Sequence, residues 1–151
     1  MKTFFASLAF ISFTASLSYG QAGKSSLASN SDFPQSLAKL IRYPSSAQRE
    51  EKVAKAYVGF NVDAQGEITG VAVLNKGNVD PYFRQEVSRA MKLLPAQKPI
   101  YAGNYVLPIV FYLEDTGKAL KFREEDAAFF QSLKKDSFLN ELHVTGYTAN
   151  R

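Results

Sequence analysis

The strongest constraint in this sequence is a change of period at Val53. From there apolar residues fall at every second position: Ala54, Ala56, Val58, Phe60 and Val62 point one way, and Lys55, Tyr57, Gly59 and Asn61 the other. A side-chain period of two marks a half-buried β-strand. Asp63-Ala64-Gln65-Gly66 follows as a turn, with Gly66 supplying the positive φ of a short hairpin. A second strand, Glu67 to Asn75, carries Ile68, Val71, Val73 and Leu74. Its phase slips between Ile68 and Val71, beside Gly70, and a β-bulge accounts for such a slip. Strands joined by so tight a turn are antiparallel.

The period then lengthens. Asp80-Pro81 opens a helix, with an acidic N-cap and Pro at the first helical position. Phe83, Val87, Ala90, Met91 and Leu94 form its apolar stripe, Arg84, Glu86, Arg89 and Lys92 lie on its wet side, and Pro95 ends it. Asn104 to Glu114 is a third strand, with Leu107, Ile109, Phe111 and Leu113 on one face. Upstream, Ser31-Asp32 caps a short helix with Pro34 in its first turn and Leu37, Leu40 and Ile41 on one face. Tyr43-Pro44 stops that helix, because the residue before proline avoids the α region. The charged stretch 44–51 reads as one or two exposed helical turns. Downstream, Glu124 to about Leu142 has the pattern of an amphipathic helix with Phe129, Phe130 and Leu133 to bury, and Val144 to Arg151 reads as a polar tail.

This order of elements forces a topology. If the first two strands run up and down, the helix from Asp80 returns the chain, and the third strand runs antiparallel to the first. The expectation is an α+β fold: helix, strand, strand, helix, strand. It has a three-stranded antiparallel sheet in the order second, first, third, helices on one face, and a C-terminal helical extension. The third strand is left with a free edge, a placement that Pro108 suits because it has no N–H to offer a ladder. Two readings of that edge stay open. It is an edge managed by Pro108 and the following chain, or it is a docking rail for another extended segment.

The first twenty residues stand apart. Lys2, the apolar run from Phe4 to Phe13, and the small and polar exit Ser18-Tyr19-Gly20 have the order of a secretory signal peptide. Serines and a threonine interrupt the run, which falls short of the roughly 20 apolar residues of a membrane span. Cleavage is expected after Gly20, giving a periplasmic protein with no stable membrane insertion. The expected division is 1–20 signal peptide, 21–31 flexible lead-in, 32–114 folded domain, and 115–151 helical extension and tail.

Composition excludes several functions. The formal charge is +4 with no clustered basic footprint, so no nucleic-acid partner is expected. Cysteine is absent, which removes disulfides and cysteine-based metal or haem sites. His143 is the only histidine, and no nucleophile motif of the Gly-x-Ser-x-Gly kind accompanies it. The carboxylates at Glu50-Glu51 and Glu124-Glu125-Asp126 read as solvated charge near helix ends. Neither an enzymatic activity nor a cofactor is expected.

From about Phe33 to Glu114 the sequence resembles a TonB C-terminal domain. The resemblance rests on Tyr43-Pro44 before a short charged segment, on the alternating strands Val58–Val62 and Glu67–Val73 around Gly66, on the helix ending Leu94-Pro95-Ala96, and on Pro108-Ile109-Val110-Phe111-Tyr112-Leu113. It implies a periplasmic protein-interaction module that receives an extended peptide of an envelope or outer-membrane protein beside its last strand. The implied peptide-binding residues are Asn104, Tyr105, Val106, Leu107, Pro108, Ile109 and Val110. Tyr101, Tyr105 and Tyr112 are further candidates for the groove, or ordinary half-buried aromatics. The alternative is a structural or assembly protein whose edge is held by its own tail or by a second copy, as a homodimer. The chain is expected to depart from full-length TonB in having neither its uncleaved membrane anchor nor its long Pro-rich spacer, and in the added segment from Asp115 onward.

Overall fold

In the computed structural model the described residues are 26–118, 120, 133 and 138–148. The helices are α1 (Asp32–Leu40), α2 (Ser45–Arg49) and α3 (Pro81–Lys92). The strands are β1 (Ala54–Val62), β2 (Ile68–Val73), β3 (Gly103–Leu113) and β4 (Leu142–Gly146). The strands form one mixed sheet in the order β2-β1-β3-β4.

The hairpin and the third strand lie where the alternation puts them. β1 pairs antiparallel with β2 on one side and with β3 on the other, in register from Ala54 opposite Phe111 to Val62 opposite Gly103. Gly59 faces Ala72 and Asn61 faces Thr69, so Gly70 and Val71 together oppose Phe60. That is the bulge read from the phase slip, and Gly70 supplies its positive φ of 63°. At the turn, Gly66 has φ 87°, and a Cβ on it would strike the carbonyl oxygen of Gln97 at 1.9 Å. The close approach carries a hydrogen bond of 2.7 Å from the Gln97 amide to the Gly66 carbonyl.

Asp80 caps α3 through its side chain, which accepts from the Tyr82 amide. α1 starts differently from expectation. Ser31 makes no side-chain cap, and the Asn30 carboxamide oxygen accepts from the Asp32 amide instead. Ser31 is itself helical in φ and ψ, which takes its hydroxyl away from the capping position.

The core lies between the helices and one face of the sheet. Phe33, Leu37, Phe83, Val87, Ala90 and Met91 meet Ala56, Val58, Phe60, Leu107, Ile109 and Phe111, all buried. Rings tie the layers together: Phe83 lies 4.7 Å from Phe111, and Phe33 stacks on Phe60 at 5.5 Å. Burying each such ring contributes roughly 1.5–3 kcal/mol. Lys52 joins α2 to the start of α3 through ion pairs to Glu50 at 2.6 Å and Asp80 at 2.7 Å.

The sheet departs from the predicted three antiparallel strands at its outer side. A fourth strand, β4, pairs parallel with β3, from Ile109 opposite Leu142 to Leu113 opposite Gly146. A strand edge is a row of unpaired backbone donors and acceptors, and here the chain's own C-terminal part satisfies it. The segment from Val144 read as a polar tail therefore begins inside a strand. The predicted helix from Glu124 falls mostly outside the described residues, but Leu142 belongs to β4, so its expected end is wrong. The signal peptide and residues 21–25 also lie outside the described residues.

Candidate functional site

The backbone of β3 shows how its outer edge is used. Tyr57, opposite Pro108, accepts from the Leu74 amide and donates its own amide to the Asn75 side chain, so both its backbone groups point toward β2. In an antiparallel pair the two facing residues turn their backbone groups the same way relative to the ladder. Pro108 therefore points away from β1, and the even-numbered residues of β3 face the outer edge. Two hydrogen bonds agree: the Leu139 amide donates to the Val106 carbonyl at 2.9 Å, and the Glu114 amide donates to the Gly146 carbonyl at 3.2 Å.

Between these bonds the outer chain loses step. Phe138 pairs with Val106, and Leu142 pairs with Ile109, so three residues of the outer chain span two of β3. The irregularity lies beside Pro108, the position on β3 with no amide to donate. The edge-strand reading of Pro108 is corrected: β3 is an inner strand of the four. The physical reason for the proline survives, because its missing N–H falls where the ladder is interrupted.

β4 is held at its far end by side chains from three elements. Gly146 lies against Tyr43 and Leu113, so close that an added Cβ would come within 2.7 Å of the Tyr43 ring and 2.9 Å of Leu113. The Gln48 side chain donates to the Tyr147 carbonyl. Thr145 donates its hydroxyl to the Tyr112 phenol at 2.7 Å. On the same face Lys55 of β1 reaches Glu141 at 2.5 Å, and Glu141 also meets His143 at 2.9 Å. Tyr43 itself donates its hydroxyl to the Lys52 carbonyl, and burial pushes its phenol up to about 12.

The seven residues implied by the resemblance are contiguous on β3, but they do not form an open rail. Asn104 is exposed and its side chain accepts from Asn61 at 2.8 Å. Tyr105 is a core residue, donating to the Tyr101 carbonyl at 2.7 Å. Val106 bonds to Leu139, Leu107 lies in the core, and Ile109 and Val110 stand beside Leu142 and His143. Every residue from Tyr105 to Phe111 is buried. The expectation of a free third-strand edge is thus overturned by β4. Sequence reading missed Gly146, Gln48 and Thr145, which hold β4; the alternation Leu142-His143-Val144-Thr145 was the available signal.

A half-open hollow of about 310 Å³ sits at the interruption, walled by Leu27, Phe33, Pro34, Leu107 and Leu139. Among the described residues no group of three or more histidines, aspartates and glutamates could hold a metal ion, and no helix is long and apolar enough to cross a membrane.

No family model and no curated protein matches the chain. One similar solved structure is the NMR solution structure of the Helicobacter pylori TonB C-terminal domain. It is 22% identical to this chain, with a TM-score of 0.40, covering 61% of this chain and 94% of that one. A likeness this loose decides nothing about the site, and the α+β assignment stands on the pairing described above.

Proposed function

We propose that this chain is a non-enzymatic protein-interaction module of the cell envelope, and that it receives an extended partner segment along β3 in the place held by β4. The observation that carries this reading is the way β3 is closed. An eleven-residue strand has its outer edge filled by a five-residue parallel strand, and the ladder is interrupted at Pro108. Parallel pairing is slightly less stable per residue than antiparallel pairing. Asn140 and Glu141 at the interruption are exposed, and the Glu141 ion pair to Lys55 is the side-chain tie that a hinge there would have to release. An incoming segment would make the same main-chain bonds to Val110, Tyr112 and Glu114, with side-chain contacts setting its choice. The envelope location rests on residues 1–20.

A second reading is favoured by a specific observation. Gly146 against Tyr43, and Val144 buried in the core, make β4 an integral strand. On that reading the module serves an assembly role with its edge closed permanently.

A disulfide lock separates the two. Tyr112 and Thr145 are register partners on one face, and the chain has no other cysteine to interfere. The Tyr112→Cys/Thr145→Cys protein, immobilised and exposed to envelope extract, should capture a partner when reduced and lose it when oxidised. Equal capture in both states would reject strand exchange and leave the permanent closure. Intact mass of the exported protein tests the location: a chain beginning at Gln21 is expected, and a full-length, membrane-retained product would contradict it.

A further inference from the structure

We infer that the face of the sheet turned away from α1 and α3 is an internal docking surface, and that its occupant is the chain's own segment 119–137. Tyr57, Val106, Pro108 and Val110 alternate along β1 and β3 with the core residues Ala56, Val58, Leu107, Ile109 and Phe111, so they project from the opposite face. They adjoin across the ladder: Pro108 stands opposite Tyr57, Val110 opposite Lys55, and Val106 opposite Gly59. A sheet face left to water carries polar side chains. Here Tyr57 is 8% exposed and Val106 and Val110 are 5% exposed, although none of the three belongs to the core cluster. Described residues furnish the rim of the patch: Leu74 beside Gly59, the Lys55–Glu141 pair beside Val110, and Phe138 beside Val106. A tyrosine ring in the middle of a sheet needs a layer above it to be shielded that far.

The two ends of the segment set its path. Lys118 donates to the Glu51 carbonyl at 2.9 Å and pairs with the Glu51 carboxylate at 3.1 Å, so the chain has swung from the end of β3 to the start of β1. Phe138 then pairs with Val106 at the outer edge of β3, toward the other end of the sheet. Between these points the chain crosses β1 and β3 and runs back along β3 from Leu113 to Val106, about 23 Å at the rise of a strand. Residues 119–137 cover that distance in compact form, since roughly fifteen suffice even at the helical rise. On the helix face the path is filled by Phe33, Leu37, Phe83 and Val87. The connection therefore winds over the second face, left-handed, against the usual rule for crossovers. The segment brings the apolar side chains that the patch calls for in Phe122, Phe129 and Phe130. Leu120 and Leu133 within it are half-buried. The lead-in 21–25 has no large apolar side chain to offer. The inference is independent of strand exchange and bounds it: with 119–137 packed on the sheet, only the chain beyond Leu139 is left to exchange.

NMR of the exported protein tests this without a variant. With phenylalanine rings and valine and leucine methyls protonated in a deuterated background, the Val110 methyls should show NOEs to at least one of Phe122, Phe129 and Phe130. Val110 is the reporter because Phe138 already adjoins Val106. Absence of these NOEs, or contacts from the three rings to Leu40 on the helix face instead, would overturn the docking. So would NOEs to Val110 from Phe4, Phe5, Phe10 or Phe13, which would make the leader the cover. In a mixture of labelled and unlabelled protein the NOEs should stay within one chain; intermolecular NOEs would make the occupant a second copy and overturn the assignment. Phe129→Ser/Phe130→Ser should then open the patch to a soluble gadolinium chelate, broadening the Val106 and Val110 methyls while Leu107 on the core face stays sharp. Unchanged Val106 and Val110 signals in a folded double variant would also reject the docking.

Discussion

Gly146 packs its bare Cα face against the ring of Tyr43, which an added Cβ would approach to 2.7 Å at two ring carbons. This contact joins the last residue of β4 to the segment between α1 and α2, about a hundred positions earlier in the chain. It also explains why a tyrosine precedes Pro44. The ring makes edge contacts with Phe83 at 5.6 Å and Phe111 at 6.0 Å, and its outer side forms the seat for β4.

Gly146→Ala should therefore loosen β4 selectively. Forcing a methyl into a packed contact costs about 1–3 kcal/mol, and β4 can relieve it by detaching. Hydrogen exchange should quicken at Val144 and Gly146, whose amides face β3, far more than in β1. Slowing, or a uniform change through the sheet, would mean the contact is not what seats the strand.

Phe111 is the ring on which the sheet and helix layers meet, fully buried and 4.7 Å from Phe83. Phe111→Ala should destabilise the fold by about 3–5 kcal/mol in denaturant unfolding. A loss below about 1 kcal/mol would place the ring outside the core.

Alkaline pH offers a probe of the Tyr43 seat. Burial raises its phenol from 10.0 to about 12, so the folded state favours the neutral form. The contribution is complete below about pH 10, where the unfolded phenol ionises, and is lost progressively as pH rises toward 12. Tyr43→Phe should flatten that part of the stability profile relative to the parent, while losing about 1 kcal/mol at neutral pH with the hydrogen bond to Lys52. An unchanged alkaline slope would contradict the assignment.

Asp80 acts at the acid end. The hydrogen bond from Lys52, and with it the Tyr82 amide, holds its carboxyl below the usual carboxylate range. Its contribution is present above pH ~4 and is lost as pH falls through the depressed value. Asp80→Asn keeps a capping oxygen but removes the charge, so its stability curve should run flatter on the acid side. Asp80→Ala should lose about 1 kcal/mol at neutral pH from the cap alone.

Most of the central domain was legible because its signals are local. The alternation of Ala54–Val62, the slip at Gly70 and the Asp80-Pro81 start each declare an element within a few residues, and the order of turns then fixes β2-β1-β3. β4 was not legible in the same way. Leu142-His143-Val144-Thr145 alternates, but four residues of alternation also end an amphipathic helix, and its partner lies some thirty positions upstream. Parallel pairing is made across a long connection, so nothing adjacent to β4 announces it. The candidate site suffered from the same gap. Asn104 to Val110 were placed correctly on one strand, yet whether that strand has a free edge depended entirely on the distant tail.

The central claim is that a partner segment takes the place of β4, and hydrogen exchange in the presence of a captured segment tests it directly. The amides of Val110, Tyr112 and Glu114 face the outer edge whichever strand lies there, whereas Val144 and Gly146 are protected only while β4 is seated. On saturation with the segment, Val144 and Gly146 should lose protection while Val110, Tyr112 and Glu114 keep theirs. Continued protection of Val144 and Gly146 at saturation would show that β4 stays in place, and would contradict strand exchange.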